Sequence, residues 1–369
     1  MFLPSTQEEL HSIGWDNLDI ILVTGDSYID SPYIGTAVVG NVLTNAGYRV
    51  GVIAQPAVDN PHDICRLGEP RLFWGVTGGS VDSMVANYTA LNKKRYHDDY
   101  TPGGINNRRP DRAVIVYSNL IRRSFKNTKP IVLGGIEASL RRLAHYDYWS
   151  DKIRRSILVD AKADYLLYGM VEISVLELAF TLKNQGDPRF ISGLCYPINA
   201  GKDVKLPDGY IQLPSYDKVQ EDPLAFIDMF HIFYRNNDPI TAKGLYQQYD
   251  SRIVVQNPPA RTPTQPELDA IYALDYKRAQ HPYYEHQGSV KALETIKFSI
   301  ATHRGCYGEC NFCAIAVHEG RTVSWRSQES ILDEARSFLL HPDFKGIISD
   351  LGGPTANMYG FECAKKLKT

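Results

Sequence analysis

Residues 304–315, RGCYGECNFCAI, bring three cysteines into one short segment: Cys306, Cys310 and Cys313. A disulfide uses two thiols, and a closed structural zinc site uses four ligands. Three thiolates suit a cubane 4Fe-4S cluster in which one iron keeps no protein ligand and can take a substrate or cofactor directly. Zinc is the alternative, with His303, His318 or Cys363 as the fourth ligand, and plain unligated thiols are a third reading. Cys65 and Cys195 stand alone and read as small packing side chains.

Something must hold that segment at the mouth of a fold. TIKFSIATH (295–303) reads as a strand running into the cysteines. SQESILDEARSFLL (327–340) predicts a helix with an apolar stripe through Ile331, Ala335 and Leu339. GIISDLGG (346–353) reads as a further strand ending on Gly352 and Gly353. The β-loop-α-β order places the cysteines at the carboxyl end of a strand, where open α/β sheets bind ligands. Gly305 and Gly308 leave room for backbone to wrap closely around a bulky group.

Upstream the same alternation appears. LDIILVTGD (18–26) reads as a buried strand, Ile34, Val38, Val39, Val42 and Leu43 recur at helical spacing before Gly47, and YRVGVIA (48–54) is a second strand. RAVIVYS (112–118), PIVLGG (130–135) and ADYLLYG (163–169) read as strands, and EISVLELAFTLK (172–183) as a helix. The fold class is α/β. A doubly wound domain is expected over 1–190, a connector with short strands over 191–292, and the first two β/α units of a barrel over 293–369. Gly25, Gly134, Gly135 and Gly169 then fall on the ligand-facing rim of the first domain.

Cys-x3-Cys-x2-Cys with Phe312 before the last cysteine, set between a strand and a helix-strand-Gly-Gly unit, resembles the radical S-adenosylmethionine (radical SAM) superfamily. VTGDSYIDSPYIGTAVVGNVLTNAGYRVGVIAQP, IVLGGIEASLRRLAHYDYWSDKIRRSILVDAKADYLLYGMVE, QNPPA and ATHRGCYGECNFCAI together resemble the YgiQ-type radical SAM proteins over essentially the whole chain. The resemblance implies that Cys306, Cys310 and Cys313 ligate a 4Fe-4S cluster. It also implies that Phe312, Gly352 and Gly353 belong to the cofactor site, the glycine pair meeting the SAM amino group through backbone. Pro354 stands where that family more often has an acidic residue. The implied chemistry is reductive cleavage of SAM to a 5′-deoxyadenosyl radical that acts on an unspecified substrate, with electrons from a donor such as flavodoxin or ferredoxin. The pattern GGIEAS…ADYLLYG is similar to cobalamin-binding domains. The segment after the first strand, GDSYIDSPYIG, carries no histidine where those domains often place a cobalt ligand, so cobalamin is not expected. Such barrels use about six β/α units of roughly 30 residues. The 75 positions from residue 295 hold two, so the later strands and much of the SAM pocket are expected to be missing.

Composition narrows the alternatives. The chain has 369 residues, 43% hydrophobic and 22% charged, with a formal net charge of −2, so no global charge draws it to nucleic acid or membrane. MFLPSTQEEL is not a signal peptide, no run of about 18 apolar residues occurs, and reduced clustered thiols fit the cytoplasm. Residues 93–155 hold fifteen Lys/Arg against six Asp/Glu. Contact with an anionic or nucleic-acid surface is one reading; a solvated face with internal ion pairs is preferred. Two other functions remain in play: a non-catalytic iron–sulfur or zinc protein, and an RNA-modifying methylthiotransferase-like enzyme, which needs a second cluster or an RNA-binding module.

Overall fold

The computed structural model describes residues 1–201, 205–308, 310–354 and 357–361. Strands β1 (Ile20–Thr24) and β2 (Val50–Ala54) are buried at every position, as continuous apolar runs require when both sheet faces are covered. Helix α1 (Gly35–Asn45) joins them, and Gly47 at φ +86° turns the chain out of it. Then follow β3 (Phe73–Thr77), α2 (Ala113–Ser124), β4 (Ile131–Gly134), α3 (Gly135–Leu140), β5 (Tyr165–Leu167) and α4 (Glu172–Lys183). These five strands are parallel in the order 2-1-3-4-5. One core packs Ile21, Trp74 and Leu133 against Val114 and Tyr117 of α2. The other packs Leu22, Val132 and Leu167 against Leu43 of α1 and Leu178 of α4. The domain is therefore doubly wound, and its strand order reverses between β1 and β3, the place where such sheets open a crevice.

Several elements differ from expectation. The strand expected at 112–118 is instead the start of a helix from Ala113: Val114, Tyr117, Ser118 and Ile121 are buried at helical spacing, and a β-branched run had imitated a strand. Phe73–Thr77 is a central strand that is missing from the strands expected from the sequence, its run being broken by Gly75 and followed by Gly78 and Gly79. The segment expected as a connector adds β6 (Leu194–Asn199), β7 (Ile211–Gln212), β8 (Leu245–Tyr249) and β9 (Arg252–Gln256) to the same sheet. Among the described residues the sheet thus has nine strands in the order 7-8-9-6-5-4-3-1-2, with β6 antiparallel to both β5 and β9. Helix α5 (Pro223–Arg235) lies between β7 and β8, and helix α6 (Gln265–Tyr272) follows β9.

The C-terminal segment holds β10 (Ser299–Ala301), β11 (His303–Arg304), α7 (Ile315–His318), β12 (Ser324–Trp325), α8 (Gln328–Phe338) and β13 (Asp350–Gly352). β10 starts late because Leu293–Ile296 form a helical turn. Glu334 and Phe338 supply the buried face of α8, whereas Leu339 is exposed. β13 is confined to three residues, and Ile347 and Ile348 are exposed.

Part of the basic stretch is taken up in ion pairs. Arg109 binds Asp26 at 2.6 Å and Asp98 at 3.2 Å, Arg112 binds Asp147 at 2.6 Å, and Arg122 binds Asp164 at 2.7 Å. Among the described residues no helix is long and apolar enough to cross a membrane.

Candidate functional site

A cavity of about 490 Å³ lies at the carboxyl ends of the parallel strands. Gly134, Gly135 and Gly169 line it, as the strand pattern predicts. Gly25 does not; it packs on the Gly78 carbonyl, where any Cβ would collide. Asp26 contributes a carboxylate to the floor, bound by the Ser80 N–H at 2.6 Å. Burial pushes its carboxyl pKa up, and the Arg109 charge opposes that shift. The cavity runs deep beneath α1 and α4, past Val38, Val39 and Val175, with Leu22, Val132 and Leu167 as its apolar floor.

The opposite wall comes from the C-terminal segment: Ala301, His303, Arg304, Gly352, Gly353 and Pro354. β10 pairs in parallel with β13, placing Ala301 opposite Gly352. The Thr302 N–H then donates to the Gly352 carbonyl at 2.7 Å. Strand pairing thus sets the lead-in to the cysteine loop beside the glycine pair. Gly353 lies flat on the His303 imidazole, and a Cβ there would overlap the ring.

The cysteine loop leaves β11, which pairs antiparallel with β12. The Cys306 N–H donates to the Gly320 carbonyl at 3.1 Å, and the Cys313 N–H to the Cys310 carbonyl at 3.0 Å. Gly305 has φ +83° and sits so close to the Thr322 carbonyl that a side chain has no room. Cys306 is buried, Cys313 half-buried and Cys310 exposed. Among the described residues no three His, Cys, Asp or Glu side chains converge on one point. The donor set itself suits an iron–sulfur cluster: three thiols on one tight loop, with the Gly308 N–H already directed at the Cys306 sulfur at 3.3 Å. Of the alternative zinc ligands, His303 Nδ1 is hydrogen-bonded with Thr302 Oγ1 at 2.9 Å and His318 Nδ1 with Ser139 Oγ at 3.1 Å. Cys363 lies outside the described residues. Phe312 is 91% exposed and does not line the cavity.

Sequence reasoning missed Glu172, Tyr272, Arg304 and Glu319, and read His318 only as a zinc alternative; all five line the cavity. The buried Arg304 guanidinium donates to the Glu172 carboxylate and, at 3.0 Å, to Tyr272 Oη. Glu319 accepts the Gly305 N–H at 3.0 Å, and burial raises its carboxyl pKa. Burial, reinforced by the charge of Arg142, lowers the His318 imidazole to about 4, so the ring is neutral at pH 7. A His-Glu pair directly after a short apolar turn was a readable signal. Glu172 and Arg304 carried none, because the partners stand 132 residues apart.

The family model for Radical SAM N-terminal matches residues 2–299. The UPF0313 protein FN0734 of Fusobacterium nucleatum subsp. nucleatum is 57% identical over 368 residues, covering 100% of this chain and 64% of that protein. A UPF0313 protein of Thermotoga maritima is 52% identical over 367 residues, covering 99% of this chain and 64% of that protein. The chain therefore spans 64% of the length of these curated relatives. Among solved structures, the radical SAM methyltransferase TsrM of Kitasatospora setae, with cobalamin and a [4Fe-4S] cluster bound, matches with a TM-score of 0.51 at 18% identity, covering 91% of this chain and 47% of that one, a likeness of fold. Family model, relatives and motif agree: the chain belongs to the Radical SAM N-terminal family and is of the UPF0313, YgiQ type.

Proposed function

We propose that this chain carries the cluster loop and the substrate-side chamber of a radical SAM enzyme. One observation carries the reading: the β10–β13 pairing sets His303 and Arg304, which lead into the cysteine loop, beside the glycine pair on one wall of the 490 Å³ cavity, although none of the three cysteines lines it. Cys306, Cys310 and Cys313 would hold a 4Fe-4S cluster, and the backbone at Gly352 and Gly353 would receive the amino group of SAM. Bound there, cluster and SAM supply one-electron chemistry at the sulfonium. The chain's own part is to shape and dry the chamber. The apolar floor under α1 and α4 excludes water from the reacting region, and the carboxylates of Asp26 and Glu319, which line the cavity, offer polar contacts to a substrate. A flavodoxin or ferredoxin is the proposed reductant, and the cytoplasm the proposed compartment.

Anaerobic reconstitution tests this. The chain is expected to bind about four iron atoms, and Cys310→Ala to lose them. The full-length protein containing this segment is expected to release 5′-deoxyadenosine on reduction with SAM. A lone tetrahedral zinc, or an intact cluster without that release, sinks the proposal.

The depth of the cavity favours a second ligand, a corrinoid, whose apolar ring could enter beneath α1 and α4. Against it stands the absence of histidine from the segment after β1. Co-elution of one hydroxocobalamin per chain would decide for the corrinoid. No co-elution leaves the sheet as a scaffold for substrate.

A further inference from the structure

We propose that Glu172 is a positioning residue for the cluster loop, acting through Arg304; the inference rests on the cluster reading above. Arg304 stands two residues before Cys306, and its buried guanidinium is held by the Glu172 carboxylate and by Tyr272 Oη at 3.0 Å. The Tyr272 ring is faced by both Arg304, at 5.0 Å, and Arg326, at 4.3 Å. Glu172 opens α4, a helix packed on the N-terminal sheet, so the pair ties that sheet to the loop.

The backbone is clamped from the other side. Glu319 accepts the Gly305 N–H at 3.0 Å, and the Gly320 carbonyl accepts the Cys306 N–H at 3.1 Å. The three residues entering the cluster loop are therefore fixed by one side-chain pair to the sheet and by two backbone N–H hydrogen bonds to residues 319–320. Breaking a buried ion pair from one side is costly, because the remaining charge has no counter-charge. Glu172, Tyr272, Arg304 and Glu319 also line the cavity. A molecule bound there touches the side chains that hold the loop.

The test separates positioning from mere folding by sign. Glu172→Gln keeps the shape and leaves a positive charge beside the cluster, so the reduction potential is expected to rise. Arg304→Met leaves a negative charge, so the potential is expected to fall. The double variant removes both charges and is expected to return close to wild type. Reductive titration followed by electron paramagnetic resonance reads all three, with thermal melts run in parallel. Glu172→Ala is expected to lose iron to a chelator about tenfold more readily than wild type, in the range seen when groups behind metal ligands are removed. One common potential, or a shift of the same sign in both single variants, overturns the inference while the cluster reading stands. A wild-type chain that binds no iron overturns both.

Discussion

The parallel half of the sheet and the C-terminal segment solve the same problem, placing loops at the carboxyl ends of strands, by different forces. β1 and β2 are buried throughout, and the cores on both faces of the sheet are built from apolar side chains. The segment after residue 298 has strands of two or three residues, and Leu339, Leu340, Ile347 and Leu351 are exposed. Its fixed points are polar and buried. Arg278 and Arg326 both pair with Glu334, Arg326 donates to the Ala301 carbonyl at 3.0 Å, and Arg304 pairs with Glu172. Apolar burial holds the scaffold without regard to direction, whereas charged hydrogen bonds fix a short loop in one orientation.

That contrast can be broken experimentally. Trp74 is fully buried between the sheet and α2, so Trp74→Ala should cost about 3–5 kcal/mol of global stability, measured by denaturant unfolding. Glu334→Ala leaves two buried guanidinium groups without their shared partner. A loss of about 3 kcal/mol is expected there, confined to residues 299–352 in hydrogen exchange. Equal loss of protection across the N-terminal sheet would show that the two regions unfold as one.

A pH scan sharpens the comparison. His318 has a folded-state pKa near 4 against an ordinary 6.5, so the unfolded chain takes up the proton first. Its contribution is present above pH 6.5 and disappears as pH falls toward 4, by up to roughly 3 kcal/mol. Glu319, whose pKa is raised, works in the opposite sense: its contribution is present at low pH and fades as pH rises. His318→Gln should flatten the acid limb of the unfolding curve; an unchanged limb would assign acid sensitivity elsewhere. The smallest effect is expected at Gly353→Ala, where the added methyl meets the His303 ring, at about 1–3 kcal/mol by thermal melting.

What the sequence made legible follows the same division. Local patterns were readable. The helix expected at 172–183 spans those residues, and the strand expected before the cysteines pairs with the strand that ends on Gly352. Val114–Ile121 misled because β-branched residues at helical spacing also make a continuous apolar run. Strands β6 to β9 were legible only as a connector with short strands, since their place in a sheet depends on partners far along the chain. The Glu172–Arg304 pair was invisible for the same reason: nothing near residue 172 marks that its carboxylate belongs to the cysteine loop.

The unequal exposure of the three cysteines gives the loop an inside and an outside. In the metal-free chain, Cys310 should be alkylated by a maleimide first and Cys306 last. The order of labelling would then serve as a chemical ruler for how far the loop has closed.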